Sequence, residues 1–80
     1  MENEVTVIIN EWDPIGLFPG APLDEYYDEI QQILLFLDTN KTVEELSKRI
    51  KDIFENSFNS TVFDKSENEC NEIAKKIMKL

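Results

Sequence analysis

Trp12-Asp13-Pro14-Ile15-Gly16-Leu17-Phe18-Pro19-Gly20-Ala21-Pro22 holds all three prolines and both glycines of an 80-residue chain. It is also the longest stretch without helical periodicity, and it is too apolar for an ordinary surface loop. Asp13-Pro14-Ile15-Gly16 places Asp, Pro and Gly where a type I turn, or the first turn of a short helix capped by Asp13, wants them. Pro19-Gly20 fits the central pair of a type II turn, with Gly20 taking the positive φ. Trp12, Ile15, Leu17 and Phe18 carry apolar area that water would not leave on a free tether, so the stretch must pack down. Two readings follow. It plugs one end of a helical core, or part of it forms a binding face.

Working outward, the N-terminal side is helix or strand. Val5, Ile8, Ile9 and Trp12 fall at i, i+3, i+4 and i+7, the stripe of an amphipathic helix, whereas the β-branched run Val5 to Ile9 is strand-like. Helix is the better choice, because no other segment alternates and a lone strand would have no partner. It should end at Asp13, since the residue before proline avoids the α region. On the C-terminal side a second helix is predicted from Leu23 to Asp38, with Leu23, Tyr26, Ile30, Ile33, Leu34 and Leu37 inward and Asp24 and Glu25 in its first turn. Leu35 and Phe36 point away from that stripe, which makes this helix the central one. Thr42-Val43-Glu44-Glu45 is a capping box opening a third helix, with Val43, Leu46, Ile50, Ile53, Phe54 and Phe58 inward and its end near Asn59. Val62 and Phe63 should dock on the core. A second box, Ser66 to Glu69, opens a last helix with Cys70, Ile73, Ala74 and Ile77 inward, and Lys75, Lys76 and Lys79 near its C-terminal dipole. The prediction is an all-α, compact four-helix domain spanning residues 1–80, with an irregular apolar loop between its first two helices.

Charge is divided unevenly along the chain. The formal net charge is −9, and a hydrophobic content of 41% argues against wholesale disorder. Residues 1–40 hold nine acids and no Lys or Arg, while residues 41–80 hold eight of each sign. In the later helices Glu44 with Lys48, Glu45 with Arg49, Lys51 with Glu55 and Glu72 with Lys76 are opposite-sign i, i+4 pairs. The second helix would instead set Asp24 against Asp28 and Glu25 against Glu29, like-charged pairs costing on the order of 0.2 to 0.5 kcal/mol each. A cost with a fixed location invites a functional reading. Glu11, Trp12, Asp13, Asp24, Glu25, Tyr27, Asp28 and Glu29 are therefore the candidate protein-binding residues, one acidic patch with aromatic side chains of the kind favoured at interfaces.

Chemistry is limited by residue types. Without histidine there is no imidazole base, no Ser-His-Asp triad and no usual zinc set. The single cysteine, Cys70, excludes an intrachain disulfide, sits on an apolar helical stripe as a core thiol, and suits a reducing cytoplasm. Catalysis by Asp13, Asp24, Asp28 or Glu29 needs a deep pocket that a small helical domain rarely has, and neither the EF-hand spacing nor its central glycine is present. No enzyme activity, metal or cofactor is expected. An acidic half with sparse, paired basic residues speaks against nucleic acid and anionic membrane. The acidic start and short apolar run Val5 to Ile9 match no signal or membrane segment. Asn40-Lys41-Thr42 and Asn59-Ser60-Thr61 fit the glycosylation pattern but read better as turn residues ahead of helices.

The stretch Trp12 to Pro22, followed by Asp24-Glu25-Tyr26 and Glu29-Ile30 and closed by Ile73-Ala74-Lys75-Lys76-Ile77, resembles the YugE-like small bacterial proteins over nearly the whole chain. That family is a domain of unknown function with all-helical members, and it more often carries a basic residue where Leu23 stands. The resemblance implies the fold and assigns no activity. Related motifs occur among small acidic immunity proteins that neutralise toxins. The expected function is thus an acidic interaction module for a basic protein partner, a toxin bound by an immunity protein being one concrete case. The competing expectation is a structural homo-oligomer, a homodimer in the simplest case, that pairs through Leu35, Phe36 and the Trp12–Pro22 surface.

Overall fold

The computed structural model describes residues 1–38, 41–59 and 61–80. The turn roles expected of Asn40 and Ser60 lie outside them. Four helices form: α1 (Glu2–Trp12), α2 (Tyr27–Phe36), α3 (Val43–Phe58) and α4 (Glu67–Met78). The all-α, four-helix architecture expected from periodicity is the one observed, and among the described residues there is no strand.

Helix α1 buries Val5 and Ile9 completely, which resolves the choice between helix and strand. It stops where proline dictates. Asp13 leaves the right-handed region for φ 47°, ψ 62°, while its N–H still closes on the Ile9 carbonyl at 2.8 Å. Helix α2 is shorter than predicted. Residues 22–27 are tighter turns held by i→i+3 bonds, from the Glu25 N–H to the Pro22 carbonyl (3.2 Å) and from the Tyr27 N–H to the Asp24 carbonyl (3.0 Å). Two anchors explain why the helix does not reach back to Leu23. The Asn10 side-chain amide holds the Leu23 carbonyl at 3.1 Å, and Tyr26, at φ −95° and ψ 13°, is turned toward Asp13. Leu23 consequently stands 76% exposed and not on the inward stripe.

The capping box of α3 forms as predicted. Thr42 Oγ1 accepts from the Glu45 N–H at 3.1 Å, and Glu45 Oε1 accepts from the Thr42 N–H at 2.9 Å. At the other end Asn59 takes φ 63° and ψ 163°, a positive-φ conformation outside the left-handed helical well that is usually left to glycine. Its Oδ1 accepts from the Thr61 and Val62 N–H groups and its carbonyl accepts from that of Phe63. This turn buries Phe63 and leaves Val62 47% exposed, so only one of the two expected docking residues docks. At the start of α4, Ser66 Oγ accepts from the Glu69 N–H at 3.2 Å, but the reciprocal bond of a full box does not form.

The helices run up, down, up, down. Glu2 meets Gln31 and Asn10 meets Leu23 across α1 and α2. Phe36 meets Arg49 and Tyr26 meets Phe58 between α2 and α3. Each helix packs on two neighbours in the order α1, α2, α3, α4 and back to α1; among the described residues the diagonal pairs have no Cα atoms within 8 Å. The helix expected to be central was α2, yet α3 contributes the largest buried set: Leu46, Ile50, Ile53 and Phe54, with Ser47. Leu35 of α2 is 76% exposed, and Phe36 lies under Lys41, whose Nζ is 4.7 Å from the ring centroid. None of the four anticipated i, i+4 ion pairs closes within 4 Å among the described residues. Lys75 takes Glu72 at 3.4 Å, Lys51 reaches across to Glu67 at 4.0 Å, and Arg49 turns toward Phe36. Long exposed side chains gain too little from such pairs to be held in one geometry.

Candidate functional site

The segment joining α1 to α2 is built around one carboxylate. Asp13 Oδ1 accepts from the Leu17 N–H (2.9 Å) and the Tyr26 hydroxyl (2.6 Å), and Oδ2 accepts from the Phe18 N–H (3.2 Å). The Asp13 carbonyl accepts from the Gly16 N–H at 3.0 Å, which closes the turn read from the sequence. Gly16 takes φ 76°, and the space beside it is open, so backbone conformation and not crowding calls for glycine there. The second turn departs from expectation. The Phe18-Pro19 peptide is cis, Gly20 has no positive φ, and the Ala21 N–H reaches the Leu17 carbonyl at 2.9 Å.

Electrostatics follow from these contacts. Burial works against the charge on Asp13, but the Tyr26 hydroxyl and the backbone N–H groups of Leu17, Phe18 and Gly16 outweigh it and hold the carboxyl below its ordinary range. Burial, and then the bond to Asp13, push the Tyr26 phenol well above its ordinary value. Tyr26 also accepts from the Ile15 N–H at 3.2 Å. The phenol thus bridges both ends of the loop while its ring lies wholly in the core.

That ring belongs to a cluster of six aromatic residues filling one end of the bundle. Phe54 is its middle, with ring centroids of Trp12 at 5.8 Å, Tyr26 at 5.8 Å, Phe58 at 6.1 Å and Phe63 at 5.5 Å, and Phe18 meets Tyr26 edge to face at 5.5 Å. Trp12, Ile15, Leu17 and Phe18 are all half-buried against this core. The plug reading of the loop is therefore the geometry it adopts, with Trp12 packing on Phe54 of α3 and on Phe63.

The eight residues expected in one acidic patch are dispersed. Asp13 is committed to internal donors. Glu29, expected to point away from the Tyr26, Ile30, Ile33 stripe, is only 7% exposed, with Oε1 buried and unpartnered. Helical spacing accounts for this, because Glu29 lies three residues after Tyr26 and four before Ile33 and therefore shares their inward face. Glu11 lies on the far side of α1, where it lines a cavity of about 400 Å³ with Ile8, Trp12, Ile73 and Lys76. Asp24, Glu25, Tyr27 and Asp28 remain together and exposed, next to Leu23. Asp24 and Glu25 precede the helix, so the proposed like-charge helical pairs do not exist as such.

A family model described as "Domain of unknown function (DUF1871)" matches residues 4–80. The chain belongs to the DUF1871 family. No curated protein and no solved structure matches it. The DUF1871 chain therefore carries a family without an assigned function, as the resemblance implied. No helix among the described residues is long and apolar enough to cross a membrane, and no group of three or more His, Cys, Asp or Glu among them is placed to hold a metal ion.

One surface of this DUF1871 domain escaped the sequence reading. Helices α1 and α4 leave a seam between them, in which Trp12 and Ile73 line two adjoining cavities. The first is the one that includes Glu11; the second, of about 250 Å³, adds Asn68, Glu69 and Glu72. Its signal was present in the spacing of Ile8, Glu11 and Trp12 and of Asn68, Glu69, Glu72, Ile73 and Lys76, each set a single helical face. A third cavity, of about 220 Å³ between α3 and α4, is lined by Ser47, Lys51, Glu67 and Cys70 among others. The Cys70 thiol there is fully buried, and burial pushes it up to about 11, Lys51 opposing and Glu69, Glu55 and Glu67 adding to the shift.

Proposed function

We propose that this domain is a non-enzymatic module that binds a basic protein. The observation that carries the reading is the exposed set Leu23, Asp24, Glu25, Tyr27 and Asp28, which flanks the buried Tyr26. Leu23 is 76% and Tyr27 54% exposed, and beside them Asp24, Glu25 and Asp28 face solvent in a half of the chain without a Lys or Arg. Large apolar side chains left in water next to uncompensated charge are the composition of an interface awaiting an oppositely charged partner. An immunity-type protein neutralising a basic toxin in a bacterial cytoplasm is one concrete form of it, although the YugE-like resemblance itself assigns no activity, and the lone thiol suits that compartment. A second reading has its own observation: Leu35, 76% exposed on α2, favours pairing with another copy.

Reversing Asp24 and Asp28 to Lys tests the first reading without touching a buried group. Against a partner isolated by affinity from the native host, the double variant should associate more slowly at low salt, and its rate should vary less as salt rises past about 0.1 M. Affinity unchanged at low salt removes the acidic run from the mechanism. Sedimentation decides the second reading, since a dimer that Leu35→Glu dissociates is what self-pairing requires.

A further inference from the structure

The acidic run and the α1–α4 seam lie on different sides of the bundle, and the seam has the more specific chemistry. Its floor is the half-buried Trp12 ring, with Ile73 and Ile8 beside it. Its rim carries three exposed carboxylates, Glu11, Glu69 and Glu72, and one exposed cation, Lys76. Glu72 is paired with the exposed Lys75 at 3.4 Å, while Glu11 and Glu69 have no cation within 4 Å among the described residues. The indole is fixed in place. It stands at 82° to Phe54 and 86° to Phe63, wedged against two rings stacked on each other, so the part of the ring that lines the groove is held rigid at low entropic cost.

An apolar floor with negative charge at its edge suits one kind of side chain above others. A hydrocarbon stem seeks the Ile73 and Ile8 surface, and a cationic head seeks both the indole face and the carboxylates. Arginine meets these demands better than lysine, because its planar, weakly hydrated guanidinium stacks on an aromatic ring while its edge still donates to carboxylate oxygens. A wholly apolar occupant would strand the rim charges, and an acidic one would be repelled. We infer that the Trp12 groove between α1 and α4 is the anchor site for an arginine side chain of a basic protein partner. This rests on the proposed preference for a basic partner, and it moves the anchor from the acidic run to the opposite seam.

Trp12 is the chain's only tryptophan, so its emission comes from the one ring that lines this groove. The full chain is titrated with the blocked peptide acetyl-Leu-Arg-Leu-amide and, in parallel, with the same peptide carrying citrulline, which keeps the shape and removes the charge. The expected result is a saturable change in Trp12 emission with the arginine peptide and binding weaker by about fivefold or more with citrulline, the scale of one cation–π contact plus the rim charges. Glu69→Gln with Glu72→Gln should weaken the arginine peptide by a similar factor, Lys76→Ala should tighten it, and Asp24→Asn with Asp28→Asn should leave it unchanged. Equal response to both peptides, or no saturable response, overturns the groove. An arginine peptide that binds with Trp12 silent and is lost in the Asp24, Asp28 variant also overturns it, while leaving the basic-partner reading in place. Emission that changes with protein concentration alone, together with sedimentation as a dimer, assigns the groove to a second copy and overturns the arginine site.

Discussion

Removing one oxygen from Tyr26 should destabilise this domain more than its size suggests. In Tyr26→Phe the ring keeps its contacts with Phe18, Phe54 and Phe58, so the loss is confined to two hydrogen bonds. The 2.6 Å bond to Asp13 is made to a carboxylate, for which about 1.5 to 3 kcal/mol is typical, and the Ile15 N–H loses its acceptor at 3.2 Å. Asp13 keeps its Leu17 and Phe18 donors, which limits the damage. A loss of about 2 to 3 kcal/mol follows, or roughly 10 to 20 °C in Tm for a domain of this length. The effect should also depend on pH with a definite sign. The Asp13 carboxyl is held below its ordinary value in the folded state, so its contribution is present above about pH 4 and is lost as pH falls through the lower folded value. Tyr26 is shifted the other way. Its contribution is complete below about pH 10 and is lost as the unfolded phenol ionises while the folded one does not. Urea unfolding followed by circular dichroism, for the parent and the variant from pH 2 to 11, measures all of this. Equal midpoints at pH 7, or a difference that persists undiminished at pH 2, would refute the Asp13–Tyr26 bond as the fastening of the loop.

Two further outcomes follow from groups the fold has buried. Glu29→Met should leave stability unchanged or raise it by about 1 to 3 kcal/mol, because Glu29 Oε1 is buried without a donor and a carboxylate in that position costs desolvation for no bond; a lowered denaturation midpoint would show that Glu29 is satisfied in solution. Cys70 should resist thiol reagents in the native protein at pH 8 and react on unfolding, since the thiol is buried and its pKa is pushed up to about 11. Rapid native labelling would reopen a nucleophilic role.

Helices were legible in this sequence wherever local signals and burial agreed. The i, i+3, i+4 stripes of α1, α3 and α4 placed Val5, Ile9, Leu46, Ile50, Ile53, Phe54, Cys70, Ile73 and Ile77 inward, and all are buried. Thr42 and Glu45 announced a cap that forms, and Pro14 announced a stop that occurs. The start of α2 was misread because Leu23 and Tyr26 share a helical spacing that tertiary bonds override. Local spacing cannot reveal that Asn10 will hold the Leu23 carbonyl, nor that Asp13 will turn the Tyr26 hydroxyl toward it, across 13 residues in each case.

The same limit explains why the candidate site was only partly legible. Charge along a chain is one-dimensional, and it put Glu11, Asp13, Asp24, Glu25, Asp28 and Glu29 in one group because no cation interrupts them. Folding redistributed them by geometry. An antiparallel neighbour set Glu11 beside Lys76, 65 positions later, the loop absorbed Asp13, and the bundle covered Glu29. The two surfaces that survive differ in kind: Asp24, Glu25, Tyr27 and Asp28 are near neighbours in sequence and are grouped by it, although Leu23 beside them reads as inward, whereas the Trp12 groove needs two helices to exist. Long-range charge is common to both, but only the groove sets carboxylates at the edge of a fixed aromatic ring. If a basic partner approaches this domain, its charge alone cannot choose between them, and the choice falls to whichever side chain fits against Trp12.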